Sequence, residues 1–188
     1  MASILKVDQI QTPSGGAPTL VDLGVNTQGS VVDAYTALYT APSTFTGVSG
    51  GFRVLPNLQI TLTPKSANSK FMVFARVFGE AGDSDGHNWS MAIACNGNYV
   101  NAGDASGNKA RVICTAGADY NLVDIDSTPQ TWNASTLYVP NTASALTFNV
   151  LMTNQGGTAT FYWNQTANAT DNMARERGSS ELTILEIA

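Results

Sequence analysis

Residues 58–78, LQITLTPKSANSKFMVFARVF, alternate and then stop alternating, and that change limits the folds open to the chain. Leu58, Ile60 and Leu62 fall on one side and Gln59, Thr61 and Thr63 on the other, as a strand with one wet face requires. Pro64 ends ladder pairing, and the KSANS segment after it supplies turn residues. From Phe71 to Phe78 only Arg76 is polar, which predicts a strand covered on both faces. The expected unit is a long hairpin at the heart of a β-sandwich. Phe71, Val73 and Ala75 would face the core, and Met72, Phe74 and Val77 would take cover from a neighbouring subunit, with Arg76 interrupting the alternation.

The rest of the chain from Val31 reads as strands punctuated by turns. VVDAYTALYT opens it, PSTFTGVSGGFRVLPN reads as a long loop, and WSMAIACNGNYV predicts two strands about an Asn-Gly turn. ASGNKARVICTAG and ADYNLVDIDS read as supplying two more strands, STPQTW as a turn and ASTLYVP as a short strand. LTFNVLMTNQGGTATFYWNQ predicts a further hairpin, and ELTILEIA a last strand alternating at Leu182, Ile184 and Ile187 with one break. About nine short strands without a helix point to an all-β fold, an antiparallel β-sandwich or jelly roll, over residues 31–188.

Residues 1–30 differ. Ile4, Leu5, Val7 and Ile10 form one short apolar run, QTPSGGAPT interrupts it, and Leu20, Leu23 and Val25 form a second. Such a segment buries too little surface to order itself. It reads as an extended docking arm that adds a strand to a partner's edge or lies in a groove.

Composition narrows the function. Charged residues reach only 12%, about half the usual share, so the polar surface is made of Ser, Thr, Asn and Gly and suits packing within an assembly. A net charge of −5 with nine Lys and Arg excludes a phosphate-tracking stripe, so no nucleic-acid partner is expected. MASILKVDQI lacks the apolar run of a signal peptide, and no window approaches about 18 apolar residues, so no membrane partner is expected. Cys95 and Cys114, each in an apolar run, read as reduced core cysteines.

No catalytic set emerges. His87 is the one histidine, so a His-paired triad, a His-rich zinc site or a Cys-His dyad could draw on that single member alone. Asp83, Asp85 and His87 sit in a calcium-loop-like GDSDGHN, but the position where such a loop needs Glu holds Ala94. Glu80, Asp83, Asp85, Asp104, Asp119, Asp124 and Asp126 offer carboxylates without a glycosidase context. No enzyme activity, cofactor or metal is expected. Trp89, Trp132 and Trp163, with Tyr99, Tyr120, Tyr138 and Tyr162, read as core or subunit-contact anchors, with a sugar-stacking platform as the alternative and Trp163 the foremost candidate for either role.

Two signatures carry a resemblance. SILKVDQIQTPSGG at residues 3–16 resembles an N-terminal segment frequent in structural proteins of marine tailed bacteriophages. ITLTPKSANSKFMVFARV at residues 60–77, with SSELTILEIA at residues 179–188, resembles the small tumour-necrosis-factor-like jelly-roll domain of phage fibres and other virion surface proteins. The resemblance implies a non-enzymatic homotrimer in the virion, assembled in the host cytoplasm. It would be a capsid decoration (cement or head-fibre) protein whose arm grips the major capsid protein or another virion protein and reinforces the shell. The alternative is a short tail fibre, tail-spike or baseplate component that binds host surface glycans. Met72, Phe74, Val77 and Trp163 are the expected trimer contacts.

Overall fold

The computed structural model describes residues 29–47, 51–82, 89–115, 127–154, 159–168, 170–171, 173 and 175–188. The strands among them are β1 (Val31–Tyr39), β2 (Ser43–Thr46), β3 (Arg53–Leu62), β4 (Lys70–Ala81), β5 (Trp89–Cys95) and β6 (Asn98–Tyr99). They continue with β7 (Cys114–Thr115), β8 (Gln130–Tyr138), β9 (Leu146–Asn154), β10 (Thr160–Trp163) and β11 (Ser180–Ile187). All pairing among the described residues is antiparallel, and five pairs are nested: β1 with β11, β2 with β10, β3 with β9, β4 with β8 and β5 with β7. The chain is thus one long hairpin rolled into two sheets, an all-β antiparallel sandwich of jelly-roll type. The first sheet runs β1-β11-β4-β8, with β10 and β2 continuing from the end of β4, and the second runs β3-β9-β5-β6.

The core lies between the sheets. β4 gives it Phe71, Val73, Ala75 and Val77, β5 gives Trp89, Met91, Ile93 and Cys95, and β9 gives Leu146, Phe148, Val150 and Met152. Each set is the inward half of a pleat. Phe161 is fully buried where the rings of Phe45, Trp89 and Trp132 meet, with centroids 5.0–5.2 Å from its own.

Two buried carboxylates tie loops to the first sheet. Glu186, 0% exposed, occupies an inward position of β11, where its Oε1 accepts from the Lys65 backbone N–H and the Ser69 hydroxyl, both at 2.6 Å. It thereby closes the 63–69 connection. Glu80 does the same at the far end of β4, accepting from the backbone N–H groups of Thr128 (2.9 Å) and Ala167 (2.6 Å). A polar chain fixes the same end: Trp163 Nε1–H donates to Ser180 Oγ, which donates to Asn164 Oδ1, and Asn164 Nδ2 donates to the Tyr39 carbonyl.

Several expectations are corrected. Residues 58–78 are not a hairpin: β3 pairs with β9 in one sheet and β4 with β11 and β8 in the other, so KSANS is an arch between sheets. The NQGGT connection likewise leads from β9 in the second sheet to β10 in the first. Arg76 does not interrupt the alternation of β4, because it takes a regular outward place and Val77 turns into the core, 0% exposed. The pleat of β11 is also unbroken, its inward place at 186 being filled by the carboxylate. STPQTW is no turn throughout, since β8 begins at Gln130. Within the expected long loop lie β2 and the start of β3, whose pairing shifts register between Val54 and Gln59, around Pro56, which has no N–H to donate. ARVIC contributes only the two-residue β7. Asn96 and Gly97 do form the expected tight turn, both at positive φ (48° and 79°). The arm and most of GEAGDSDGHN and ADYNLVDIDS lie outside the described residues.

Candidate functional site

The outward face of the first sheet presents apolar side chains that no element among the described residues covers. Register places Leu137, Met72, Leu185 and Ala34 in one row across β8, β4, β11 and β1. The next row is Ser135, Phe74, Thr183 and Thr36, and the third is Asn133, Arg76, Glu181 and Leu38. Phe74 is 42% exposed, Leu137 44% and Leu38 60%, whereas Met72 and Leu185 are half-buried. A depression of about 380 Å³ opens beside Phe74, bounded by Arg76, Asn133, Ser135, Glu181 and Thr183. Arg76 reaches Ser179 Oγ at 2.9 Å and Glu181 at 3.8 Å, so the cation is already engaged at the rim.

Of the four contacts expected from sequence, the structure leaves two with surface to offer. Phe74 and Met72 stand on this face. Val77 and Trp163 lie in the chain's own core, Trp163 against Tyr39 with ring centroids 4.3 Å apart. Leu137 and Leu185 belong to the patch and were missed. Their signal was the outward half of TLYV and of TILEI, legible only once both strands are known to flank β4.

The chemistry-bearing residues do not converge. Glu80 and Glu186 stand nine and zero residues from Phe71 along the β4 register, a separation of about 30 Å at the strand rise, far beyond the reach of a glycosidase pair. Asp104 is exposed on a loop, while Asp83, Asp85, His87, Asp119, Asp124 and Asp126 lie outside the described residues. No group of three metal-ligating side chains occurs among the described residues. No helix among them is long and apolar enough to cross a membrane. All three tryptophans are 2% exposed or less, so their rings form no open stacking platform.

Both cysteines are free. Burial pushes the Cys114 thiol up to about 11, against smaller opposing effects of backbone bonds, and pushes Cys95 up as well. Burial, and then the bond to Asp33, raises Tyr35 to about 12. Each group is neutral when protonated and has its folded pKa above the unfolded one, so the stability it contributes is complete at neutral pH. It is lost as pH rises through 9 to about 11 for Cys114 and 10 to about 12 for Tyr35. The melting temperature is therefore expected to hold level to about pH 8.5 and fall above pH 9, and Cys114→Ser should reduce the early part of that fall. An unchanged profile in the variant would remove Cys114 as its source.

Sequence comparison matches the chain to no protein family and to no curated protein. Among solved structures it is similar to that of the infectious bursal disease virus VP2 subviral particle, at 11% identity and a TM-score of 0.30. It is also similar to the structure of the Gx strain of that virus, at 11% identity and a TM-score of 0.34. Each alignment covers 83% of this chain and 37% of the other, so the chain spans little more than a third of those proteins' length.

Proposed function

We propose that the protein is a non-enzymatic virion component, a homotrimeric decoration protein of a phage capsid, whose copies meet through the outward face of the first sheet. The observation that carries this reading is the row Leu137, Met72 and Leu185 with Phe74 beside it, apolar side chains on a sheet face with no covering element among the described residues. An apolar cluster with a polar rim of Asn133, Ser135 and Thr183 has the anatomy of a subunit contact. The low charge of 12% fits a protein packed among others. The resemblance of residues 3–16, 60–77 and 179–188 to phage structural proteins supports the same reading.

The arm would dock on the shell, using Ile4, Leu5, Val7, Ile10, Leu20, Leu23 and Val25. Its root is set by the fold: Gly29 N–H donates to the Ala188 carbonyl and Ala188 N–H to that of Ser30, both at 3.0 Å, so the arm leaves beside the C-terminus. Deleting residues 1–28 removes none of the strands among the described residues. The truncated protein should remain a folded trimer yet fail to bind particles, as read by co-sedimentation with undecorated heads. Undiminished decoration by the truncated protein would sink the docking role.

A further inference from the structure

The second sheet, on the opposite side of the sandwich, carries a different feature. Its β5 strand turns only Ser90, Ala92 and Ala94 outward, and these small side chains let other chain segments approach closely. Phe52 packs over Ala92, Ala94 and Leu151. Beyond Tyr99 the chain makes an excursion over residues 101–113 and returns, pinned at its two ends by Val100 N–H to the Ile93 carbonyl and Ile113 N–H to the Met91 carbonyl, both 2.8 Å. Within it Lys109 N–H donates to the Ser106 carbonyl at 3.2 Å, and Arg111 Nε–H to the Gly103 carbonyl at 2.7 Å. Between this excursion and residues 51–52 lies a cleft of about 610 Å³, lined by Phe52, Tyr99, Asn108, Lys109 and Arg111. That volume is typical of small-molecule sites.

Its chemistry is selective. Tyr99 is 36% exposed, inclined at 55° to Phe52 with centroids 5.2 Å apart, and the Arg111 guanidinium lies 5.4 Å from its ring centre. The two ion pairs among the described residues occupy Lys65 with Asp33 and Arg76 with Glu181, whereas neither Lys109 nor Arg111 has a carboxylate within pairing distance there. Asp104, on the same excursion, pairs with neither. A chain with fourteen acids and nine Lys and Arg thus places two unneutralised cations at one aromatic cleft. Two cations are too few for nucleic acid.

We propose that this cleft binds a carboxylate-bearing sugar. The C–H face of the sugar ring would lie against the part of Tyr99 that Phe52 and the Arg111 guanidinium over its ring leave exposed, its carboxylate would meet the Arg111 terminal nitrogens and Lys109, and its hydroxyls the Asn108 amide. A sugar suits the site better than an acidic peptide, because the cleft offers one aromatic surface and polar groups at its rim instead of a row of apolar pockets. The inference goes beyond the decoration role and does not depend on the trimer.

The test titrates the full chain with trisaccharides ending in glucuronate or in sialic acid, their neutral counterparts of equal length, and a short poly-glutamate peptide, read by calorimetry and by Tyr99 chemical shifts. Both acidic sugars, or one of them, should bind and the neutral ones at least tenfold more weakly, the better of the two acids naming the source. Tyr99→Ala and Lys109→Gln should each weaken binding about tenfold, the loss of one stacking or charge-assisted contact, with the melting temperature unchanged in Lys109→Gln. Equal binding of neutral sugars, tighter binding of poly-glutamate, or no binding by any acidic sugar overturns the proposal. Sedimentation in the same samples reports the oligomeric state separately, so the two proposals fail independently.

Discussion

Replacing Phe161 by alanine is expected to lower the unfolding free energy by about 3–5 kcal/mol, a large fraction of the 5–15 kcal/mol typical of a domain. The ring is 0% exposed and touches aromatic rings from three other strands: Phe45 of β2, Trp89 of β5 and Trp132 of β8. It also lies over the backbone of β4, where a Cβ added to Gly79 would come within 2.6 Å of it. Trp89 comes from the second sheet and the others from the first, so the cavity would open where the two sheets meet. The surrounding rings are themselves held, Trp132 by donating Nε1–H to the Trp89 carbonyl at 3.0 Å, which limits collapse into the void. Urea unfolding followed by tryptophan fluorescence measures the loss, with the slope expected to stay constant. A change below about 1 kcal/mol would mean that these rings do not pack as the structure shows them.

The second large effect is expected at Phe74. Phe74→Asp should convert the proposed trimer, about three times the chain's 19.7 kDa, into monomers by sedimentation at micromolar protein. Phe74 is 42% exposed in the single chain, and one substitution would place three carboxylates together about a three-fold axis. An unpaired charge buried at such a contact costs about 3–5 kcal/mol, enough to shift a dissociation constant by two or more orders of magnitude. The folded monomer should survive, because the side chain leaves no core position. Asn98→Asp, at the exposed start of β6 in the other sheet, is the matched control and should stay trimeric. A wild-type protein that sediments as a monomer would remove the subunit contact from this face altogether.

The two faces of the sandwich therefore divide the proposed work. In that arrangement the first sheet would supply an apolar contact between copies, and the second leaves an aromatic and cationic cleft directed away from it. The buried carboxylates Glu80 and Glu186 serve neither face: they fasten the loops at opposite ends of β4.

The residues most misread in the sequence show where local pattern stops. Val77 was set on the wrong side because Arg76 read as a break in an apolar run, when an arginine at an outward place is ordinary for a strand whose outer face is partly wet. FYW alternation cannot say which face is inward, so the sequence alone allows Trp163 either a core or a contact role. Phe45 and Tyr39, packed against it from β2 and β1, decide that. Leu137 and Leu185 are unremarkable alone and become a patch only because their strands flank Met72.

By itself the sequence determined the all-β class, the period-two faces of most strands and the Asn96-Gly97 turn, since each depends on residues within a few positions or on composition alone. Which strands pair, and hence which faces meet, was decided by tertiary structure. β3 finds β9 some 90 residues on, as Gln59 opposite Asn149 shows, and β4 finds β11 more than 100 residues on, as Phe74 opposite Thr183 shows. Alternation sorts side chains to two faces of a strand, but only the partner sheet, assembled from distant segments, makes one of those faces the inside.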